Sequence, residues 1–167
     1  MFQRFYPDDY QNSTYEINYE ELYKKGYRAI IFDIDNTLVP HGAPADQKAI
    51  AFFERLHSMG FATRLLSNNK EPRVKGFADQ VRSSYCYKAG KPSAKNYIKS
   101  MQQLNTDQQN TLFIGDQIFT DIWGAKKAGL TTILVKPIDK KEEFQIVLKR
   151  IPEKLILYFY KKEKQKG

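Results

Sequence analysis

Five short apolar runs, at residues 28–33 (RAIIFD), 61–67 (FATRLLS), 84–87 (SYCY), 111–115 (TLFIG) and 131–135 (TTILV), alternate with stretches of helical period. This alternation restricts the fold more than any other feature. Strands separated by helices cannot pair as hairpins, so they form a parallel sheet with helices on both faces, an α/β architecture. Residues 48–59 repeat Ala49, Ile50, Phe53, Leu56 and Met59 at helical spacing, and Gly60 is placed to end that helix. A second helix uses Val74, Phe77, Ala78 and Val81, and a third is expected to begin at Pro92 and repeat Tyr97, Ile98, Met101 and Leu104. A fourth covers about 118–128 ahead of Gly129. A fifth runs over 140–151 through Phe144, Val147, Leu148 and Ile151 until Pro152 interrupts it. A length of 167 residues suits one domain: a core over 28–135, an N-terminal extension over 1–27, and a helix with a basic tail over 136–167.

Chemistry gathers where these runs end. Asp33, Asp35 and Thr37 follow the first run directly, and Asp116 and Asp121 follow the fourth. In an open parallel sheet the carboxyl ends of the strands face the ligand crevice, so two distant strands deliver acids to one rim. Grouping Asp33, Asp35 and Asp116 brings like charges together, and such a cluster must take up a proton or bind a cation. Magnesium is the expected ion, since it prefers oxygen donors and is often shared between carboxylates and a substrate phosphate. Asp33 then ligates the metal through one oxygen and attacks phosphorus with the other, as an ordinary carboxylate with a pKa of about 3.9 can do without a base. Asp35 is placed to protonate the leaving oxygen and later to deprotonate water, its pKa raised by the neighbouring carboxylates. Ser67 ends the second run with a hydroxyl able to donate to phosphate. Lys91 sits just before the expected third helix, where a phosphate and Asp116 would supply the negative charge it needs.

A formal charge of +8 makes the surface attractive to anions, whether nucleic acid, acidic lipid or phosphorylated substrate. Much of the excess surrounds the aromatic run of Leu157, Tyr158, Phe159 and Tyr160, where Lys154, Lys161, Lys162, Lys164 and Lys166 lie. This tail is read either as a membrane-facing segment or as Leu155, Ile156 and Phe159 packing on the domain while the lysines stay in water. No run of about 18 apolar residues occurs, so no segment is read as crossing a bilayer. The N-terminus carries no secretory pattern and Cys86 is the lone cysteine, so the expected location is cytoplasmic, with possible peripheral contact at an anionic membrane.

Asp33 to Thr37, Ser67, Lys91, and Asp116 to Asp121, in this order, resemble the four motifs of the haloacid dehalogenase (HAD) superfamily. More particularly, FYPDDY, IIFDIDNTLVP, LLSNN and GDQxxTDIWGAKKAG resemble the YqeG-like phosphatases of subclass IIIA, whose relatives include the mitochondrial phosphatidylglycerophosphate phosphatase. The resemblance implies a three-layer Rossmann-like fold with a five-stranded sheet in the order 5-4-1-2-3. It implies that Asp33 becomes phosphorylated, that Asp35 binds magnesium through its backbone carbonyl, and that Asp116 is a direct ligand. Asp121 is then a ligand or a partner of one. The phosphate-binding set is Thr37, Ser67, Asn68 and Lys91.

HAD enzymes usually carry an inserted cap, but the loop over 38–46 is short and residues 68–90 have room for little beyond one helix, so the site is expected to be open. His41 is read as a loop histidine near it. An open site suits a phosphate carried on something large. The resulting expectation is a magnesium-dependent phosphomonoesterase acting on phosphatidylglycerophosphate or, alternatively, on a protein, nucleotide or sugar phosphate. A non-catalytic basic module holding RNA or acidic membrane is the rival; no RNA-binding motif with stacking aromatics supports it, and nucleic acid is not an expected partner.

Overall fold

The computed structural model describes residues 1–139 and 144–167. In chain order its elements are β1 (Asp9–Gln11), α1 (Tyr19–Lys24), β2 (Ala29–Phe32), α2 (Gln47–Met59), β3 (Ala62–Leu66), α3 (Glu71–Val81), β4 (Ser84–Cys86), α4 (Lys95–Gln103) and β5 (Thr111–Gly115). A π-helical turn (Ile118–Ile122) then leads into α5 (Trp123–Lys127), followed by β6 (Thr131–Val135) and α6 (Phe144–Lys166).

Among the described residues the sheet has six strands rather than five, in the order β1-β6-β5-β2-β3-β4, and every pairing is parallel. The strand missing from the five-stranded expectation is β1, on the outer edge beside β6, with Asp9 in register with Ile133. Its residues, DYQ, are polar and half-buried and form no apolar run. What holds it is specific pairing: the Asp8 carboxylate accepts the Thr132 amide at 2.8 Å and the Thr132 hydroxyl at 3.1 Å. β2 and β5 lie in the middle, buried at every position, which is why their sequences are continuous apolar runs rather than alternating ones. Ile30 and Phe32 face Phe53, Leu56, Val74 and Phe77 of α2 and α3. Ile31 and Phe113 point the other way, onto Tyr97 and Met101 of α4 and Ala125 of α5. Two-residue alternation thus feeds both helical layers from the same strands.

Two helix expectations need correction. α4 begins at Lys95, not at Pro92, because the Ser93 amide bonds back to the Gly90 carbonyl at 2.9 Å and closes a turn first. α6 runs straight through Pro152. Proline removes one helical hydrogen bond, to the residue four before it, and here both Pro152 and Leu148 lie on an exposed face of the helix. Residues 140–143 of the expected fifth helix, and the Phe144 side chain, lie outside the described residues. The apolar positions Val147, Leu148 and Ile151 are exposed, while Glu153, Ile156 and Tyr160 face inward onto Phe5, Tyr6, Ile118 and Leu134. Residues 38–46 contain no helix and no extended strand, and residues 68–90 hold only α3 and β4. Among the described residues no helix is long and apolar enough to cross a membrane.

Candidate active site

Asp33 follows β2 at the carboxyl edge of the sheet, its amide held by the Ile114 carbonyl at 3.0 Å. The chain then turns sharply. Asn36 adopts a left-handed conformation (φ 61°), and the Thr37 and Leu38 amides return to the Ile34 carbonyl. This brings the Thr37 hydroxyl to 3.2 Å from Asp33 Oδ2 and 3.2 Å from Asp116 Oδ1.

Asp116 follows β5 in the same way, and the π-helical turn carries Asp121 back over the strand end. Gly115 is what lets it come so close: a Cβ there would lie 2.7 Å from the Asp121 carboxyl group. Asp33, Asp116 and Asp121 are all buried, and each can present an oxygen within 4.8 Å of the others. Lys91 enters from the loop after β4. Asn68 clamps its backbone, accepting the Lys91 amide at 2.8 Å and donating to the Lys91 carbonyl at 3.2 Å. Lys91 Nζ then donates to Asp33 Oδ1 at 2.8 Å and to Asp121 Oδ1 at 2.7 Å. Its partners are therefore Asp33 and Asp121, not Asp116 as the sequence suggested.

The cluster is short of positive charge. Burial first, then Asp121, pushes Asp33 well above the usual carboxylate range, and Lys91 offsets this only in part. Burial and Asp121 push Asp116 up to about 6 against the pull of Arg150. Burial works to lower the Lys91 ammonium, but Asp121 and Asp33 outweigh it and raise it well above its ordinary value. The expected ordinary titration of Asp33 therefore does not hold in the protein alone. Thr37 shows the same deficit, since one hydroxyl proton cannot serve two carboxylate oxygens, and the second must carry a proton or meet a cation. Three clustered carboxylates offer a hard, all-oxygen donor set, which fits a divalent cation such as magnesium.

Asp35 stands apart from this cluster. Its Oδ1 accepts the Gly42 amide at 2.7 Å and Arg73 Nη2 at 2.9 Å. Burial works to raise its pKa, but the Gly42 amide, Arg73 and His41 together hold it below the ordinary value. The expected upward shift from crowding is thus reversed, because the side chain turns towards Arg73 rather than towards the other acids. Arg73 also bonds the Ala43 carbonyl, fixing the loop that carries His41. Ser67 is buried at the end of β3, its oxygen accepting the Asn69 amide at 3.1 Å, which leaves the hydroxyl proton for another acceptor. Asp33, Asp35, His41, Ser67, Asn68 and Lys91 line one open cleft of about 300 Å³.

Comparison with known proteins agrees with this geometry. The chain is 33% identical over 165 residues to the Bacillus subtilis (strain 168) protein named "Probable phosphatase YqeG", a match spanning 98% of this chain and 96% of that one. The chain belongs to the YqeG-like HAD phosphatases. A family model described as HAD-hydrolase-like matches residues 88–143 of this phosphatase. It is also 25% identical over 167 residues to phosphatidylglycerophosphate phosphatase 1, chloroplastic/mitochondrial, of Arabidopsis thaliana, across 90% of this chain and 46% of that protein. In fold it is similar to the cobalt-bound deoxy-D-mannose-octulosonate 8-phosphate phosphatase of Haemophilus influenzae, with a TM-score of 0.51 at 11% identity, covering 68% of this chain and 80% of that one.

Sequence reasoning missed a layer around the HAD phosphatase motifs. Arg150 of α6 donates to the Asp116 carbonyl and to Asp116 Oδ2, both at 2.7 Å, and to Glu153 Oε2 at 2.9 Å. Glu153 in turn accepts the Ile118 amide at 3.0 Å. Gln117 just before the π-helical turn, Thr120 within it, and Ile146 and Lys149 of α6 complete the cleft wall. Arg150 and Glu153 are visible in the sequence only as an i,i+3 pair, a spacing that usually marks a solvated helix face. Nothing local shows that Arg150 faces a carboxylate 34 residues away or that Glu153 receives a backbone amide 35 residues away.

Proposed function

We propose that this HAD phosphatase is a magnesium-dependent phosphomonoesterase that works through an aspartyl phosphate on Asp33, with phosphatidylglycerophosphate as its substrate and contact with an anionic membrane at its periphery. The observation that carries the reading is the convergence of Asp33, Asp116 and Asp121 at the strand ends, with Asp33 and Lys91 lining an open cleft and Lys91 bonded to two of the three acids. Asp33, Asp116 and Asp121, with the Asp35 backbone carbonyl, would hold the metal. Bound magnesium supplies positive charge that neutralises these carboxylates and the substrate phosphate.

The chain's own residues account for the bond changes. An Asp33 oxygen bonds to phosphorus as the ester P–O bond breaks, and the departing alkoxide takes a proton from Asp35, giving the alcohol and a phosphoaspartate. Water then attacks phosphorus and passes its proton to Asp35 while the bond to Asp33 breaks, releasing inorganic phosphate. Arg73 and the Gly42 amide hold Asp35 as the carboxylate, the form that receives the water's proton. Its protonation for the first half requires the Arg73 contact to open as substrate enters. Ser67, Asn68, Thr37 and Lys91 bind or orient the phosphate, with Lys91 offsetting the repulsion between the dianion and Asp33.

The lipid assignment is supported by likeness to the Arabidopsis phosphatidylglycerophosphate phosphatase and by the lack, among the described residues, of an inserted domain over the cleft. Asp33→Asn is expected to abolish magnesium-dependent hydrolysis of an aryl phosphate while leaving the circular dichroism spectrum intact; turnover retained in that variant rejects the mechanism. Phosphate release from phosphatidylglycerophosphate vesicles tests the substrate. Release only from a panel of soluble phosphoproteins, nucleotides and sugar phosphates would replace the lipid with one of those.

A further inference from the structure

Helix α6 is apolar on two sides. Ile156 and Tyr160 face the body of the protein and are buried there. On the outer side Val147, Leu148, Ile151, Leu155 and Tyr158 are between 43% and 67% exposed. At 3.6 residues per turn these five positions fall within one arc of about 100°, so they form a single stripe along the helix. Isolated exposed apolar side chains are ordinary, but five in line mark a surface that meets something.

The border of the stripe is basic. Lys154 and Lys161 run along one edge and Lys162 lies near its end, all exposed, on a chain of net charge +8. A second copy of the chain would set one lysine border against another. A leaflet of anionic headgroups takes up both features at once, with apolar side chains entering the interface and lysines meeting lipid phosphates. Position within the fold agrees with this occupant. Ile146 and Lys149 of the same helix line the catalytic cleft, so a surface resting on α6 lies beside the cleft.

We infer that the Val147–Tyr158 stripe of α6 docks this phosphatase onto an anionic bilayer, with the helix lying in the plane of the interface. This rests on the lipid-phosphatase reading and identifies the face of the protein that serves it. Vesicles of phosphatidylcholine, with and without phosphatidylglycerol, test it without supplying any phosphomonoester. The wild-type chain is expected to cosediment with the phosphatidylglycerol vesicles, to be released by high salt, and to stay in the supernatant when the vesicles are neutral. The triple variant Leu148→Gln/Ile151→Gln/Leu155→Gln is expected to lose about tenfold or more in vesicle affinity, with unchanged aryl phosphate turnover and melting temperature. Lys154→Glu/Lys161→Glu should weaken binding to the anionic vesicles as well. Absence of wild-type binding, equal binding to neutral vesicles, or undiminished binding by the glutamine variant overturns the inference. So does a wild-type dimer in sedimentation equilibrium that the glutamine variant dissociates, since the stripe is then an interface between chains. Failure to hydrolyse phosphatidylglycerophosphate with vesicle binding intact removes the substrate proposal and leaves the docking surface standing.

Discussion

Arg150 is where the carboxylate cluster and the C-terminal helix meet. By bonding Asp116 at both its carbonyl and Oδ2, it leaves Oδ1 to the Thr37 hydroxyl, which also bonds Asp33. Arg150→Ala is expected to weaken magnesium binding by about 10- to 100-fold, the usual effect of losing a group that orients a ligand. Calorimetric titration of the metal into the variant checks this apart from activity, and Arg150→Lys should recover only part of the loss, because one ammonium cannot span both oxygens. Gly115→Ala is expected to push the Asp121 carboxyl group from its place and to lower turnover of an aryl phosphate at least as severely, since the added methyl would sit 2.7 Å from it. Asp33, Ser67 and Asn68 were legible as candidates because they stand at or just past the ends of apolar runs, and Lys91 because it precedes an expected helix. Arg150 and Arg73 were not, because their partners lie 34 and 38 residues away.

Among the elements, α6 departs most from its sequence pattern. Periodicity marks Val147, Leu148 and Ile151 as an apolar stripe, yet the stripe faces out and the following turns, through Ile156 and Tyr160, bind the helix to the body. Ile156→Ala is therefore expected to destabilise the protein by about 2–4 kcal/mol, as a large-to-small core change does. Leu155→Ala, its exposed neighbour, should stay within about 0.5 kcal/mol. Urea unfolding of the two variants separates inner from outer face. The π-helical turn is similarly a product of packing: the buried Tyr97 hydroxyl bonds the Thr120 and Asp121 carbonyls at 2.9 and 3.2 Å and holds Asp121 at the strand end.

Charge acts on the molecule as a unit. In the metal-free protein Asp116 holds its proton up to a pH of about 6, against an ordinary value of 3.8. Between those values the folded chain keeps a proton that the unfolded chain has lost, so raising the pH through this window removes stability. Asp35, with its lowered pKa, has the opposite sign: its contribution is present above the ordinary value and is lost as pH falls. In the proposed function magnesium would bind the ionised cluster, so protons would compete with it at low pH. The rise in melting temperature on adding magnesium should accordingly be larger at pH 7 than at pH 5, as scanning calorimetry can measure; an equal rise would show that the cluster does not hold the ion. What the linear chain settles is the alternation of strands and helices and the placing of Asp33, Ser67 and Asp116 at strand ends, because hydrophobic period and turn chemistry are local. The added edge strand, the Arg73 contact that draws Asp35 away from the other acids, the Arg150 clamp and the outward stripe of α6 depend on which surfaces meet. Those meetings join segments that no local pattern links, and packing and charge pairing choose among them only once the chain has closed on itself.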